Sequence, residues 1–283
     1  MMLVTSTSAL DGAERGPGRV AVVMTMGALH DGHAELMRSA RRVVGDDGTV
    51  IATIFVNPTQ FGVGEDFDRY PRTLDDDLVV CEGAGVDVVL SPTVLEVYGD
   101  ANGFRPDAIT IDPGPLGDIL EGAARRGHFR GMLTVVHKLM GMTDPDVALF
   151  GEKDYQQLVL IRHMARDLSM RVEILGVPTV REPDGLARSS RNRYLSEEER
   201  SIATTVPHTL ETVAASTGLG IAPALAAGRE VVAATAGIAL EYLEVTGPDL
   251  GPAPEGGPGR VLIAARVGAT RLIDNVPCWV GPA

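Results

Sequence analysis

The sequence predicts an α/β protein: a Rossmann-like, doubly wound parallel sheet with a smaller C-terminal α+β domain. Three observations carry this. Apolar strand-like runs alternate with helical periodicities over residues 19–178. These runs are continuous rather than alternating, as expected of strands buried on both faces. Polar, Gly-containing clusters at 25–33, 57–62 and 151–157 follow the runs directly, at the strand ends where such sheets bind ligands.

Residues 1–18 are polar and Gly-rich and read as poorly ordered. "RVAVVM" (19–24) is the first strand. Leu36, Met37, Ala40, Val43 and Val44 then give helical spacing over 33–44. "TVIATIFV" (49–56) is the second strand, and a helical stretch through Asp75–Glu82 leads to a third, "DVVLSP" (87–92). "MLTVVHKLMGM" (132–142) reads as a helix, "VALFG" (147–151) as a strand, "YQQLVLIRHMARDL" (155–168) as a helix and "MRVEILGVP" (170–178) as a strand. After "GVPTVREPDG" the texture changes. Residues 197–245 hold short Ala-rich helical stretches broken by Gly and Pro. Residues 247–259 read as a loop, and 260–280 are rich in β-branched residues. The expected division is 1–176 and 177–283.

Composition narrows the function. The chain has 283 residues and a formal net charge of −13. Such a chain repels nucleic acid and anionic lipid at long range, so an anionic ligand needs a local cluster of cations or N–H groups. Cys81 and Cys278 form no spaced metal motif and fit a reducing compartment. No signal-peptide pattern opens the chain, and no apolar run reaches the roughly 20 residues of a membrane span. The expected location is cytoplasmic.

Five segments can carry chemistry. In "MTMGALHDGH" (24–33) a strand gives way to a Gly-containing turn and a helix start, which favours an anion. His30 and His33 share a helical face and can donate to charge developing on phosphorus. A pair of surface turn histidines explains the pattern equally well. In "GEKDYQQL" (151–158) Lys153 suits phosphate, Asp154 ribose hydroxyls and Gln157 a polar substrate, whereas an exposed helix start explains the same residues. "RSSRNRYLS" (188–196) is either an anion clamp or a solvated basic loop before a helix capped by Ser196. Asn57 and Gln60 follow the second strand and suit hydroxyl and carboxylate groups, or simply form a Pro turn. Asp75–Asp77 reads as a solvated helix start, with Asp76 and Asp77 weak magnesium candidates. His128 and Arg130 of "GHFRG" reach a cleft or cap the next helix.

Taken together, "TMGALHDGH", "IFVNPTQFG", "EDFDRYPRT", "GHFRGMLTVVHKL", "FGEKDYQQLVLIR", "GVPTVREPDGLARSSRNRYLS" and "ATRLIDN" resemble the pantothenate synthetase family, in that family's order, from about residue 20 onward. That family is similar to the nucleotidyltransferases with an HxGH signature, among them the class I aminoacyl-tRNA synthetases. The resemblance implies an ATP-dependent, magnesium-accompanied condensation of pantoate with β-alanine through pantoyl adenylate, releasing pyrophosphate and AMP. It also implies a homodimer built through the first domain, with the second domain acting as a lid.

By position, the resemblance assigns Thr25, Met26, Gly27, His30 and His33 to ATP, with His33 the proton donor. Gly151, Glu152, Lys153 and Asp154 also meet ATP, and Val180 its adenine end. Arg188, Ser189, Ser190 and Arg191 close over the phosphates. Lys153 and Arg191 join the histidines as catalytic groups. Gln60, Gln157 and Asn57 hold pantoate, and Gln60 also borders β-alanine. Magnesium is carried by ATP, with no direct protein ligand required. Three departures stand out. Met24 and Arg188 replace a usual Pro and a usual apolar residue, and the leader lacks the helical segment that commonly precedes the first strand. Two other readings compete: a nucleotidyltransferase that keeps AMP in its product, and a nucleotide-binding protein without catalysis.

Overall fold

The computed structural model describes residues 1–62, 64–65, 67–105 and 108–281. Asp66 of the "EDFDRYPRT" segment lies outside the described residues. The chain divides into two compact units. The first comprises Met1–Gly151 and Leu160–Val177, the second Glu152–Val159 and the chain from Pro178 onward.

Six strands form the sheet of the first unit: β1 (Met2–Val4), β2 (Val20–Thr25), β3 (Thr49–Ile54), β4 (Val88–Leu90), β5 (Val147–Gly151) and β6 (Glu173–Val177). Their spatial order is β1-β4-β3-β2-β5-β6, and all pairings are parallel. The helices are α1 (Thr7–Asp11), α2 (Asp31–Val44), α3 (Leu74–Gly83), α4 (Val94–Tyr98), α5 (Glu121–Ala124), α6 (His128–Thr143) and α7 (Tyr155–Asp167). Alternate residues of the strands face opposite ways. Ala21, Val23, Val50, Ala52 and Leu149 therefore join Ala34, Met37 and Ala40 of α2 and Cys81 of α3 in one apolar cluster. α6 packs against β2 as well.

The strand order reverses at β2, which pairs with β3 on one side and β5 on the other. A doubly wound sheet opens a crevice at such a point, because the connections leave toward opposite edges. Thr25 and Gly151 end the two adjoining strands there.

The second unit has its own core. β7 (Ile238–Thr246), β8 (Gly257–Val267) and β9 (Thr270–Val280) form an antiparallel sheet in that order. α8 (Glu197–Ala203), α9 (Thr205–Ser216) and α10 (Ile221–Ala233) complete it. Val206, Leu210 and Val213 of α9 bury against Val261, Ile263 and Ala265 of β8. α8 starts with the expected reciprocal cap: Glu199 N donates to Ser196 Oγ at 3.2 Å, and Ser196 N to Glu199 Oε2 at 2.9 Å. Among the described residues no helix is long and apolar enough to cross a membrane.

Three expectations change. Residues 1–18 are ordered: β1 pairs with β4, and α1 packs on α6 with Leu10 fully buried. Elements of three and five residues are too short for periodicity to register. A helical segment therefore does precede β2. The helical texture of 197–245 ends early, because β7 starts at Ile238 and its burial alternates with period two. Met24, which replaces the family's usual Pro, lies in the β2–β3 ladder opposite Thr53.

Leu10→Ala is expected to lower the unfolding free energy by about 3 kcal/mol, in the range for a fully buried leucine. Denaturant titration measures it, and a loss below about 1 kcal/mol would mean that α1 is not docked.

Candidate active site

The turn after β2 consumes its own backbone donors. Gly27 N donates to Thr25 Oγ1 at 3.2 Å, while Thr25 Oγ1 donates to Thr53 O at 2.8 Å. Ala28 N and Leu29 N donate to the two oxygens of Asp77 at 3.1 and 2.8 Å. His30 caps α2. Its Nδ1 accepts from Gly32 N at 3.2 Å, and His33 Nδ1 accepts from His30 N at 3.3 Å. The two rings lie 4.1 Å apart, tilted by 32°. With Nδ1 accepting from a backbone N–H, each neutral ring carries its proton on Nε2. The expected anion site therefore changes character. Several N–H groups of the turn are engaged within the protein, and each neutral imidazole carries a donor at Nε2.

Asn57 and Gln60 sit in a short 3₁₀ turn after β3, at 1% and 8% exposure. Asn57 is fully committed. Its Oδ1 accepts from Thr59 N at 3.3 Å, Thr59 Oγ1 at 2.9 Å and Tyr98 OH at 2.6 Å. Because Thr59 N can only donate, the Asn57 amide has one orientation. Its Nδ2 then donates to Gln60 Oε1 at 2.9 Å and to Gly131 O at 3.3 Å. Gln60 Nε2 in turn lies 3.2 Å from Met26 Sδ. Gln60 thus presents donors, which suit hydroxyl or carboxylate oxygens, while Asn57 holds it in place.

A second brace acts on the backbone of Gln60. α6 approaches so closely that a Cβ on Gly131 would stand 2.2 Å from Thr59 O. His128, at the start of α6, is buried; its Nδ1 lies 2.8 Å from Gln60 O and its Nε2 3.1 Å from Arg125 Nη1. Arg125 grips Glu65 with two bonds, at 2.9 and 2.6 Å. Burial, and then the Arg125 charge, push the His128 pKa down to about 4. The ring is neutral, so Nδ1–H donates to Gln60 O and Nε2 accepts from Arg125. Burial also pushes the Tyr98 hydroxyl up to about 12, which keeps it a donor to Asn57. His128 does not cap α6, whose N-cap is Gly127 with no side-chain bond; its ring braces Gln60 instead. Arg130 is exposed, 3.6 Å from Asp112.

In the second unit, Glu152–Asp154 form a 3₁₀ turn before α7. Asn275 Nδ2 donates to the carbonyls of Glu152 and Lys153, both at 2.9 Å. Arg260 donates through Nε to Asn275 Oδ1 at 2.7 Å and through Nη2 to Glu152 Oε2 at 3.1 Å. Its guanidinium also stacks 4.0 Å from the Tyr155 ring centre. Arg181 pairs with Asp274 at 2.6 Å, and Asp274 Oδ1 accepts from Asn275 N at 2.7 Å. Lys153 Nζ lies 3.5 Å from Asp154, and Gln157 is half-buried in the first turn of α7.

Val180 O accepts from Arg188 N at 2.9 Å, and a bridge between Arg181 and Ala187 closes the hairpin. Ser189 caps a 3₁₀ turn over Ser190–Tyr194, its Oγ accepting from Arg191 N at 3.3 Å. Asn192 fastens this loop to the hairpin through Glu182 Oε1 at 2.8 Å and Ala187 O at 3.0 Å. Burial works against the Glu182 charge, but the bonds from Asn192 and Arg200 outweigh it and hold its carboxyl below the usual range.

Thr25, Met26, Gly27, His30, His33, Asn57 and Gln60 therefore belong to the first unit, where bonds tie Thr25 to Gly27, His30 to His33, and Met26, Gln60 and Asn57 in sequence. Gly151 ends β5 in that unit. Glu152, Lys153, Asp154, Gln157, Val180, Arg188, Ser189, Ser190 and Arg191 belong to the second. The reading of the residues missed Asp77 as an acceptor, and missed Arg260 and Asn275. The prior signals for Asn275 were its place in the "ATRLIDN" segment of the family resemblance and a polar Asp-Asn pair in an apolar strand, since buried polar residues need a reason. As magnesium candidates Asp76 and Asp77 fit poorly: Asp76 is exposed, and Asp77 has both oxygens engaged. Among the described residues no group of three or more His, Cys, Asp or Glu is arranged to hold a metal.

A family model for pantoate-beta-alanine ligase matches residues 4–277. The chain is 54% identical over 270 residues to the pantothenate synthetase of Nocardioides sp., covering 93% of this chain and 80% of that one. It is 52% identical to the pantothenate synthetase of Salinispora arenicola, covering 99% and 98%. Among solved structures, it resembles the pantothenate synthetase of Thermus thermophilus with TM-score 0.89 and 44% identity, covering 98% and 99% of the two chains. The pantoate-beta-alanine ligase of Francisella tularensis, complexed with beta-gamma ATP and beta-alanine, matches with TM-score 0.77 and 32% identity, covering 98% and 97%.

His128 gives a pH test. Unfolded, it titrates near 6.5; folded, near 4. Its contribution to stability is complete above pH 6.5 and is lost as pH falls toward 4, because the unfolded chain takes the proton first. His128→Gln is expected to flatten this part of a pH–stability curve measured by denaturant unfolding; an unchanged slope would remove the role.

Proposed function

This chain belongs to the pantoate–β-alanine ligase family, and from that premise we propose that it joins pantoate to β-alanine using ATP. The observation that carries the reading is the pairing of a histidine donor pair at the sheet crossover with a donor-presenting Gln60 on the neighbouring strand end. A carboxylate oxygen of pantoate attacks the α-phosphorus, the bond to the β-phosphate oxygen breaks, and pyrophosphate leaves with the electron pair. The β-alanine amine then attacks the acyl carbon, and AMP leaves as that C–O bond breaks. The amine proton is lost in this step.

The roles follow from charge. The first step joins two anions, so donors must offset their repulsion. We assign His33 as proton donor to the departing phosphates and His30 as its neighbour at the triphosphate, both through Nε2–H. Gln60 donates to pantoate and borders β-alanine, and Gln157 is a second amide for pantoate. Thr25, Met26 and Gly27 supply the turn against ATP. Gly151, Glu152, Lys153 and Asp154 are assigned to ATP, Val180 to adenine, and Arg188, Ser189, Ser190 and Arg191 to the phosphates.

Their support is chemical: Lys153, Arg188 and Arg191 bring local positive charge to a strongly acidic chain, and the Ser189–Arg191 segment is a capped loop rich in donors. A lid role for residues 177–283 rests on the same loop chemistry, since an acyl adenylate must be shielded from water. Magnesium enters as part of the MgATP substrate. A homodimer and a cytoplasmic location complete the proposal. Cys81 and Cys278 are both free, and burial raises the Cys81 thiol to about 12, which keeps it inert.

Purified protein is expected to release AMP and pyrophosphate only when pantoate is present, with β-alanine needed for turnover. Formation of ADP would sink the ligase reading, and AMP retained in the product would sink it in favour of another nucleotidyltransferase. His33→Ala is expected to lower kcat at least about a hundredfold, on the order of 3 kcal/mol, while the Kd for ATP changes by less than about threefold. Equal losses in both would make His33 a binding residue only.

A further inference from the structure

The turn that carries the histidines is bent into a receptor for an anion. Gly27 and Ala28 follow one another with φ of +82° and +51°. A turn of this kind can point successive N–H groups into one concavity, an arrangement that elsewhere binds anions. Here the concavity is filled from within. The N–H groups of Ala28 and Leu29 meet Asp77 Oδ2 and Oδ1 at 3.1 and 2.8 Å. Thr73 Oγ1 donates to Oδ1 as well, at 3.3 Å. Asp77 is 2% exposed. A Cβ on residue 27 would stand 2.9 Å from Asp77 Oδ2, so this glycine admits the carboxylate as well as the φ.

We infer that Asp77 is a positioning residue: its carboxylate is the built-in anion that locks the Gly27–Leu29 turn and so aims His30 and His33, and it is not a magnesium ligand. The inference rests on the ligase reading above. Leu29 leads directly into His30, so the backbone direction at the helix cap is set by the bond to Asp77 Oδ1. The cap itself holds the ring orientations, since each Nδ1 accepts from a backbone N–H. A carboxylate offers acceptors to both donors of the turn, whereas an asparagine would set its NH2 against one of them. Three of the roughly four acceptor positions of the carboxylate are already taken, which leaves a metal a single lone pair in a buried site.

Asp77→Asn tests this. Steady-state kinetics, a magnesium titration and ring-nitrogen NMR of His30 and His33 are measured together on the full chain. Expected are a kcat at least about tenfold lower, a KM for pantoate within about twofold, an unchanged half-maximal magnesium concentration, and a loss of the Nδ1-acceptor signature in both rings. A raised magnesium requirement with intact histidine signals would make Asp77 a metal ligand and overturn the inference. Unchanged kcat and unchanged signals would overturn it too. If the asparagine variant does not fold, Thr73→Val removes one bond to Oδ1 and is expected to shift the same signals with a smaller loss of kcat; unshifted signals count against the inference. Should the wild-type protein release no AMP, the ligase reading fails, and the histidine signals still decide the role of Asp77.

Discussion

A buried backbone N–H must have a partner, and at the turn after β2 that single constraint organises the site. The donors of Gly27, Ala28, Leu29, His30 and Gly32 are crowded into one short stretch. The protein answers with Thr25, Asp77, His33 and His30 as acceptors. Each answer has a consequence. Asp77 must be charged and close, so residue 27 must be glycine. The histidines must accept through Nδ1, so their protons sit on Nε2. The chemistry of the rings is therefore fixed by what the backbone needs.

The same logic appears in mirror form in the second unit, where the groups to be satisfied are carbonyls. Asn275 donates to the carbonyls of Glu152 and Lys153, and Arg260 orients that amide while pairing with Glu152. Arg260 is itself buried, and its charge is met by Glu152 and the face of Tyr155. A cluster so committed resists rearrangement, because freeing any one member would leave a buried polar group unpaired. Around Gln60, Tyr98 and Thr59 hold Asn57, and Asn57 holds the amide. In each case a residue able to touch a ligand is held by one that is fully occupied with the protein. The surrounding acidity adds a further condition. With a net charge of −13, anionic substrates are not drawn in from a distance, so recognition rests on donors fixed at short range.

Much of the fold was legible in the residues alone. The continuous apolar runs 19–24, 49–56 and 147–151 announce strands buried on both faces, and the alternation with helices points to a parallel sheet. The histidine pair follows β2 in the chain, Gln60 follows β3 and the Lys153 turn follows β5. What stayed out of reach has a common cause. Asp77 reads as one of three aspartates starting a helix, and only its bonds to Ala28 and Leu29, far away along the chain, distinguish it from its exposed neighbours. β1 and α1 are too short to show a period, and their order comes from pairing with β4 and packing on α6.

Local pattern and residue chemistry were enough for the fold class and for the order of the strands β2 to β6 along the chain. Tertiary packing settled which polar side chains are spent inside the protein and which atoms of the others can act. Asn57, Asp77, His128 and Asn275 became supports, and the proton on His30 and His33 was placed on Nε2. That division depends on hydrogen bonds between residues far apart in sequence, and a buried donor accepts whichever partner the fold brings within about 3 Å.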